Sequence, residues 1–461
     1  MGDDAEAPES KAGRPKPPKI KAEDNPWYLL ATLYGVPANL QDERRNRNRH
    51  AWNQYFAANL DDETRARLVK EKRYCEAELT PFSEAELRDI KNAFAERRKG
   101  SKGHIELPAS DIRIDFSNVQ FDRKVDFWRY IFIECLFKGA NFSDLADFSY
   151  LADFRDANFL EGANFAGVTF RVRAWFIRAT FSRQAHFENA IFCAEAYFLD
   201  ANFAYPSNFE RATFFGPVDL RGAIFSSVAD LGGATFAEDG SFDDVIFSRE
   251  VSLARAIFRK SVSFVNADMK GETSFEGAIF DKEPPRFFGA KLHQGTVWRG
   301  VKWPPRPRND AEAGTFIDAY ACLKLEMDRL KKHEDELDFF ALELQSRRVL
   351  LGQWRGFPIT LYGALSDYGR SYGWPFLWLL GVTAIGALLL LFSDTLPVGK
   401  SFGFSAANTL NVFGFHKDFF EPAVIARLPA WLDVVSALQT IFGTILLFLV
   451  GLGIRNKFRM K

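Results

Sequence analysis

Between Phe116 and Phe280 a large apolar residue returns after alternating intervals of five and six positions, and the residue two places before it is usually Ala or Val. The run Phe154, Phe159, Phe165, Phe170, Phe176, Phe181 carries the pattern, and Ala157-Asn-Phe159, Ala179-Thr-Phe181 and Ala256-Ile-Phe258 show the small partner. An eleven-residue period fits neither the 3.6-residue stripe of an amphipathic helix nor the strict alternation of a long strand. It recurs about thirty times, which marks a repeat in which one structural position is filled again and again. Before it, from Trp27 to about Gly100, the spacing turns helical: Trp52, Tyr55 and Phe56 share a face, and Ser83 stands three residues before Glu86 as a capping box. Residues 1–25 are rich in Pro, Lys, Asp and Glu and cannot bury enough apolar surface to offset ordering entropy, so they read as a disordered tail. A small helical domain is expected over 26–110.

Composition sharpens the repeat. The chain has 48 Phe against 12 Tyr and 10 Trp, a bias that one repeated core position explains. The pattern resembles the pentapeptide-repeat family, whose unit is a small residue, Asn or Asp, then Leu or Phe, then two polar positions. The resemblance implies a mainly β fold, a right-handed quadrilateral β-helix over 111–300, each short repeat making one side of a square coil. One bulky and one small inward position per side would fill its bore. The inserted sixth residue in alternate repeats departs from the family pattern; it predicts a coil of about 22 residues with rounded corners on two of the four sides.

After the prolines at 304–307 the pattern becomes helical again, and 310–355 reads as an amphipathic linker that caps the solenoid or pairs with its copy in another subunit. Two apolar runs, 374–392 and 434–454, have the length of bilayer-spanning helices and form a transmembrane hairpin. Arg347, Arg348, Arg355 and Arg370 precede the first, while Arg455, Lys457, Arg459 and Lys461 make 455–461 a basic tail. By the positive-inside tendency both ends face the cytosol. The loop 393–430 is unusually apolar at its centre, which suggests a re-entrant stretch around Thr409, Asn411 and Gly414. A span, a short apolar stretch and a span resembles the pore domain of two-transmembrane ion channels in degenerate form. Thr409-Leu-Asn-Val-Phe-Gly414-Phe stands where potassium channels carry T-V-G-Y-G, so potassium selectivity does not carry over.

Ser436, Gln439, Thr440, Gly443 and Thr444 fall on one face of the second span, where polar groups are costly unless they meet water or each other. A pore lining and a helix–helix contact in an oligomer both fit, and both imply self-association. Tyr368, Arg370, Tyr372 and Trp374 read as the anchor of the first span at the membrane interface, or as a relay from the cytosolic domain. No catalytic, cofactor or metal set emerges. Val398-Gly399-Lys400-Ser401 lacks the leading Gly of a phosphate loop, the four Cys make no C-x-x-C pair, and His333-Glu334 has no second ligand at helical spacing. Net charge is −1, and acids only slightly outnumber bases over 111–300, which argues against nucleic-acid binding. The expected protein is non-enzymatic and crosses a bacterial cytoplasmic membrane twice, its N-terminal domains and C-terminus cytosolic. Its solenoid would scaffold or sense, with an unknown protein partner, above a lipid-embedded pair that oligomerises and conducts ions, as a tetramer by the channel analogy. The alternative is a DNA-mimicking, topoisomerase-interacting repeat protein, which requires a dense acidic stripe.

Overall fold

The computed structural model describes residues 19–38, 41–70, 74–102, 105–121, 125–138, 140–142, 151–393, 397–411 and 429–459. The chain divides into two compact units, Met1–Pro285 with Gly289–Trp303, and Arg286–Phe288 with Pro304–Lys461.

The first unit is built on a β-solenoid of about seven turns over residues 114–280. Its short strands stack into four parallel sheets, of nine, eight, seven and seven strands among the described residues. Through the regular part the register advances by one coil of 22 residues, as in Thr169 to Ile191 and Ala174 to Ala196. The expected coil length is therefore met. The two kinds of corner also differ physically. At the five-residue intervals a tight turn closes, with Ala179 N–H bonding Phe176 O at 3.0 Å and Ala190 N–H bonding Phe187 O at 3.0 Å. Its third residue takes positive φ, and this recurs every eleven residues at Asp156, Gly167, Arg178, Asn189, Asp200 and Arg211. Such a turn is of the type-II kind, which needs a left-handed residue at that place.

Strand spacing of about 4.8 Å fixes the distance between like residues on successive coils, which suits the face-to-face stacking of rings. Phe159, Phe181, Phe203 and Phe225 accordingly stack at 4.7, 4.7 and 4.6 Å, with interplanar angles of 1–3°. Another column runs through Phe236, Phe258 and Phe280 to Trp303. The small partners, Ala157, Ala179 and Ala201 among them, are fully buried beside the rings.

The open start of the solenoid is covered. Helices α1 (Pro26–Ala31), α2 (Glu43–Ala57), α3 (Asp62–Lys70) and α4 (Glu84–Arg97) form the expected helical domain, and Ser83 and Glu86 make the expected capping box. The α2 residues satisfy exposed edge groups of the first coils: Trp52 Nε1 donates to Ile131 O (2.8 Å), Asn53 Nδ2 donates to Arg129 O (3.1 Å), and Asn53 Oδ1 accepts from Ile131 N–H (3.0 Å). The tail expectation for 1–25 needs correction at its end. Ile20–Lys21 forms a strand paired with Val119 and Gln120, because the sheet edge supplies bonds that composition alone does not reveal. Residues 1–18 lie outside the described residues.

In the second unit the amphipathic stretch is not one helix but a hairpin of α5 (Asp310–Arg329) and α6 (His333–Arg355), packed on each other and joined by the Lys324–Glu343 ion pair at 2.7 Å. Lys331 takes φ 60°, Lys331 N–H bonds Asp328 O, and Lys332 N–H bonds Met327 O. That is a Schellman stop with Lys where Gly is usual, which hid the break from the sequence. Then follow α7 (Phe357–Ser366), α8 (Gly373–Phe392), α9 (Val398–Thr409) and α10 (Ala430–Arg459). Two of them, α8 and α10, are long and apolar enough to cross a membrane.

Candidate functional site

The short helix α9 packs against both α8 and α10, and four polar residues lie on its buried side with Phe404 and Ala407: Ser401, Ser405, Asn408 and Thr409 are each at most 2% exposed. Those groups need partners: Ser401 Oγ donates to Pro397 O within its own segment (3.2 Å), and α8 and α10 supply partners for Ser405 and Asn408. Ser405 Oγ donates to Thr383 O on α8 (2.6 Å) and accepts from Gln439 Nε2 on α10 (2.8 Å). The second hydrogen of Gln439 Nε2 reaches Val382 O at 3.1 Å. Asn408 Nδ2 donates to Ser436 Oγ (3.0 Å), and Thr440 Oγ1 lies 3.1 Å from both Asn408 O and Ser436 O, its one hydrogen serving either. Gly443 lets the backbones touch, since a Cβ there would collide with the Thr409 carbonyl.

Four of the five residues singled out on the second span, Ser436, Gln439, Thr440 and Gly443, therefore meet α9 within one chain. Thr444 is turned outward and, among the described residues, donates to Thr440 O on its own helix at 2.8 Å. These bonds close without a second subunit, so the polar face by itself does not require self-association. Of the residues named for the loop, Thr409 is buried at the end of α9 with Oγ1 donating to Ser405 O (2.9 Å). Asn411 is half-buried just beyond it, and Gly414 lies outside the described residues. Sequence reasoning missed Ser405 and Asn408. With Ser401 they fall at i, i+4 and i+7, the spacing of one helix face, which is the signal that identifies them.

A second constellation lies where α7 hands over to α8. Asp367, Tyr368 and Gly369 all take positive φ, and this turn brings Arg370 between two carboxylates: Nη1 to Asp338 Oδ1 on α6 (2.9 Å) and Nη2 to Asp367 Oδ1 (2.7 Å). Burial works against the Arg370 charge, and the bonds to Asp367 and Asp338 outweigh it and raise its hold on the proton. Asn456 Nδ2, near the end of α10, donates to Gly369 O at 3.0 Å. Of the expected interface anchor, Tyr372 and Trp374 are exposed. Tyr368 is not: it is 7% exposed, its ring held against Gly363 and edge-on to Tyr362, because the left-handed turn swings it inward.

On the solenoid, surface charges pair from one coil to the next, as in Arg178 with Asp156 at 2.7 Å and Arg173 with Glu195 at 3.2 Å. A groove of about 560 Å³ runs across five successive coils, with Arg211, Arg255 and Arg299 interspersed with Glu210, Asp230 and Glu276 over a floor of small residues.

A coil of four short parallel sheets around stacked Phe and small Ala defines the class, a four-sided β-solenoid. The family profile described as Pentapeptide repeats (9 copies) matches residues 198–246, 209–257 and 242–291, the C-terminal half of the solenoid and the residues just after it. The chain thus contains pentapeptide repeats and has two helices long and apolar enough to cross a membrane. No curated protein and no solved structure matches it.

Proposed function

We propose that this is a membrane-anchored, non-enzymatic protein in which the cytosolic solenoid is the scaffold or sensor and the α8–α9–α10 unit is an oligomerising, ion-conducting domain. The observation that carries the reading is α9, a short helix that buries Ser401, Ser405, Asn408 and Thr409 beside Phe404 and Ala407 between two apolar helices. A static two-helix anchor has no use for it, since a pair of Leu-rich faces would pack as well without polar groups to satisfy. Arg370 supports the sensing half, because one side chain ties α6 to the start of α8. Lipid contact is supported by the outward face of α6 and α7, where Trp354 is 93% exposed and Phe357 59%, beside Arg348 and Arg355. Aromatic and basic residues of this kind suit the headgroup region of a bilayer. The mixed-charge groove suits a protein partner on the solenoid. The coil-to-coil ion pairs leave little of the unpaired acidic stripe that the DNA-mimic alternative needs.

Single-channel current across a planar bilayer tests the reading, with the wild type and Arg370→Ala side by side. Discrete openings whose open probability the substitution alters support conduction and coupling. A silent bilayer, from protein shown to be folded and inserted, overturns conduction and leaves an anchored scaffold.

A further inference from the structure

Three side chains far apart in sequence meet in the N-terminal helical domain. His50 sits on α2, Cys75 precedes the 3-10 turn Glu76–Leu79, and Glu78 lies within that turn. One donor atom from each lies within 4.8 Å of the others. We infer that His50, Cys75 and Glu78 form a binding site for a divalent transition-metal ion of the zinc class.

The hydrogen-bond accounting around His50 carries the inference. Its Nδ1 is 3.0 Å from Asn46 O and its Nε2 is 3.1 Å from Glu78 Oε1. Both neighbours only accept, whereas a neutral imidazole has one N–H to give. With that hydrogen on Nδ1, a lone pair on Nε2 faces a carboxylate oxygen. Three arrangements resolve the clash: a proton on the ring, a proton on the carboxyl, or a cation seated between ring and carboxylate. A carbonyl holding Nδ1–H is also the arrangement that fixes Nε2 as a metal ligand.

Glu78 makes the second, independent argument. It is 3% exposed, its Oε1 accepts from Arg49 Nη2 at 2.7 Å, and its Oε2 is buried with no hydrogen-bond partner among the described residues. A bare carboxylate oxygen in that setting is costly, and a bound cation removes the cost. Cys75 is a free, exposed thiol, so the site opens to solvent on its side and leaves a coordination position for water. Nitrogen, sulfur and oxygen donors suit zinc and its neighbours; calcium and magnesium take oxygen alone. Zinc bonds of about 2.0–2.3 Å put tetrahedral ligands about 3.3–3.7 Å apart, so ångström-scale closure of the cluster suffices. The Arg49 charge weakens the attraction for any cation, which further favours metals that thiolate binds strongly.

A metal here ties α2 to the 3-10 turn. Since α2 also closes the start of the solenoid through Trp52 and Asn53, occupancy would stiffen that cover. A second cluster, Asp328, His333 and Glu336, has no sulfur, which separates the two in the experiment.

The test is a cobalt(II) titration of the reduced, chelator-treated full-length protein in detergent, followed by its thiolate-to-cobalt charge-transfer absorption. The expected result is one equivalent bound with that band, displaced by zinc(II). Cys75→Ser abolishes the band, Cys193→Ser leaves it intact, and His50→Asn lowers cobalt affinity by at least about tenfold, the least that losing even an outer-shell partner costs. Cys75 is exposed, so its Ser variant folds, and circular dichroism checks this. No charge-transfer band in the wild type, or a band that survives Cys75→Ser, overturns the inference and leaves His50 and Glu78 as a hydrogen-bonded pair.

Discussion

Arg45 on α2 reaches into the first coils and bonds two buried carboxylates, Asp126 at 2.8 Å and Asp153 at 3.1 Å. The side chains of the three are 10%, 2% and 0% exposed, and the Arg45 guanidinium also lies 4.0 Å from the Trp128 ring centre. Replacing Arg45 by Met keeps the bulk and removes the charge. Asp153 retains Arg155 at 2.7 Å, and Asp126 retains the Trp128 N–H at 3.2 Å, a neutral donor in place of a charged one. Breaking a buried pair from one side costs about 3–5 kcal/mol, and the surviving Arg155 contact argues for the lower end, about 3. That is a roughly hundredfold loss of protection in native-state hydrogen exchange of the α2 amides.

The pH dependence sharpens this prediction. Burial raises the Asp126 pKa, the Asp153 charge adds to it, and Arg45 opposes both. A carboxyl raised on folding lends stability that is fully present below its unfolded value, about 3.9, and lost as pH rises through the folded value. Removing Arg45 moves the folded value further up. The deficit of Arg45→Met should therefore be largest near neutrality and shrink as pH falls toward about 4. Arg45→Met/Asp126→Asn should recover most of the loss at neutral pH. Protection within about threefold of wild type, a deficit equal at about pH 5 and about pH 8, or a double variant no better than the single one refutes the reasoning.

Gly443→Ala should separate α10 from α9 by driving a methyl into the Thr409 carbonyl, lowering the melting temperature in detergent and opening the α9 segment to protease; an unchanged melt contradicts the close approach. Gly167→Ala tests the corner geometry alone: its φ is +65° and nothing lies within 4 Å of the added Cβ, so the cost of about 1–2 kcal/mol in urea denaturation is purely conformational. Tyr55 donates to Pro108 O at 2.5 Å, and burial, followed by the Asp111 charge, raises its pKa from 10.0 to about 12. Its stabilisation is therefore complete below 10.0 and lost as pH rises through about 12, and Tyr55→Phe should flatten that alkaline decline in melting temperature.

The solenoid was legible because its core is local. Every coil repeats the same inward pair, so the period of Phe and Ala states the fold, and the doubled eleven-residue interval states the coil length before any contact is seen. The capping box at Ser83 and the two apolar helices are local in the same sense, since adjacent residues carry each signal. What stayed hidden depends on pairing across distance. Lys331 could end α5 in place of Gly because the α5–α6 packing outweighs the strain of a left-handed Lys. The polar face of α10 named its own residues, yet only the folded chain supplied Ser405, Asn408 and Thr383 as their partners. Arg45 with Asp126 and Asp153, and His50 with Cys75 and Glu78, joined residues separated by 25 to 108 positions, and no spacing rule spans such gaps. By itself the sequence determined which elements form and which faces they bury, since propensity and periodicity act over a few residues. Tertiary structure alone decided which buried charges and ligands meet, because desolvation makes a lone polar group costly and leaves the choice of partner to the packing.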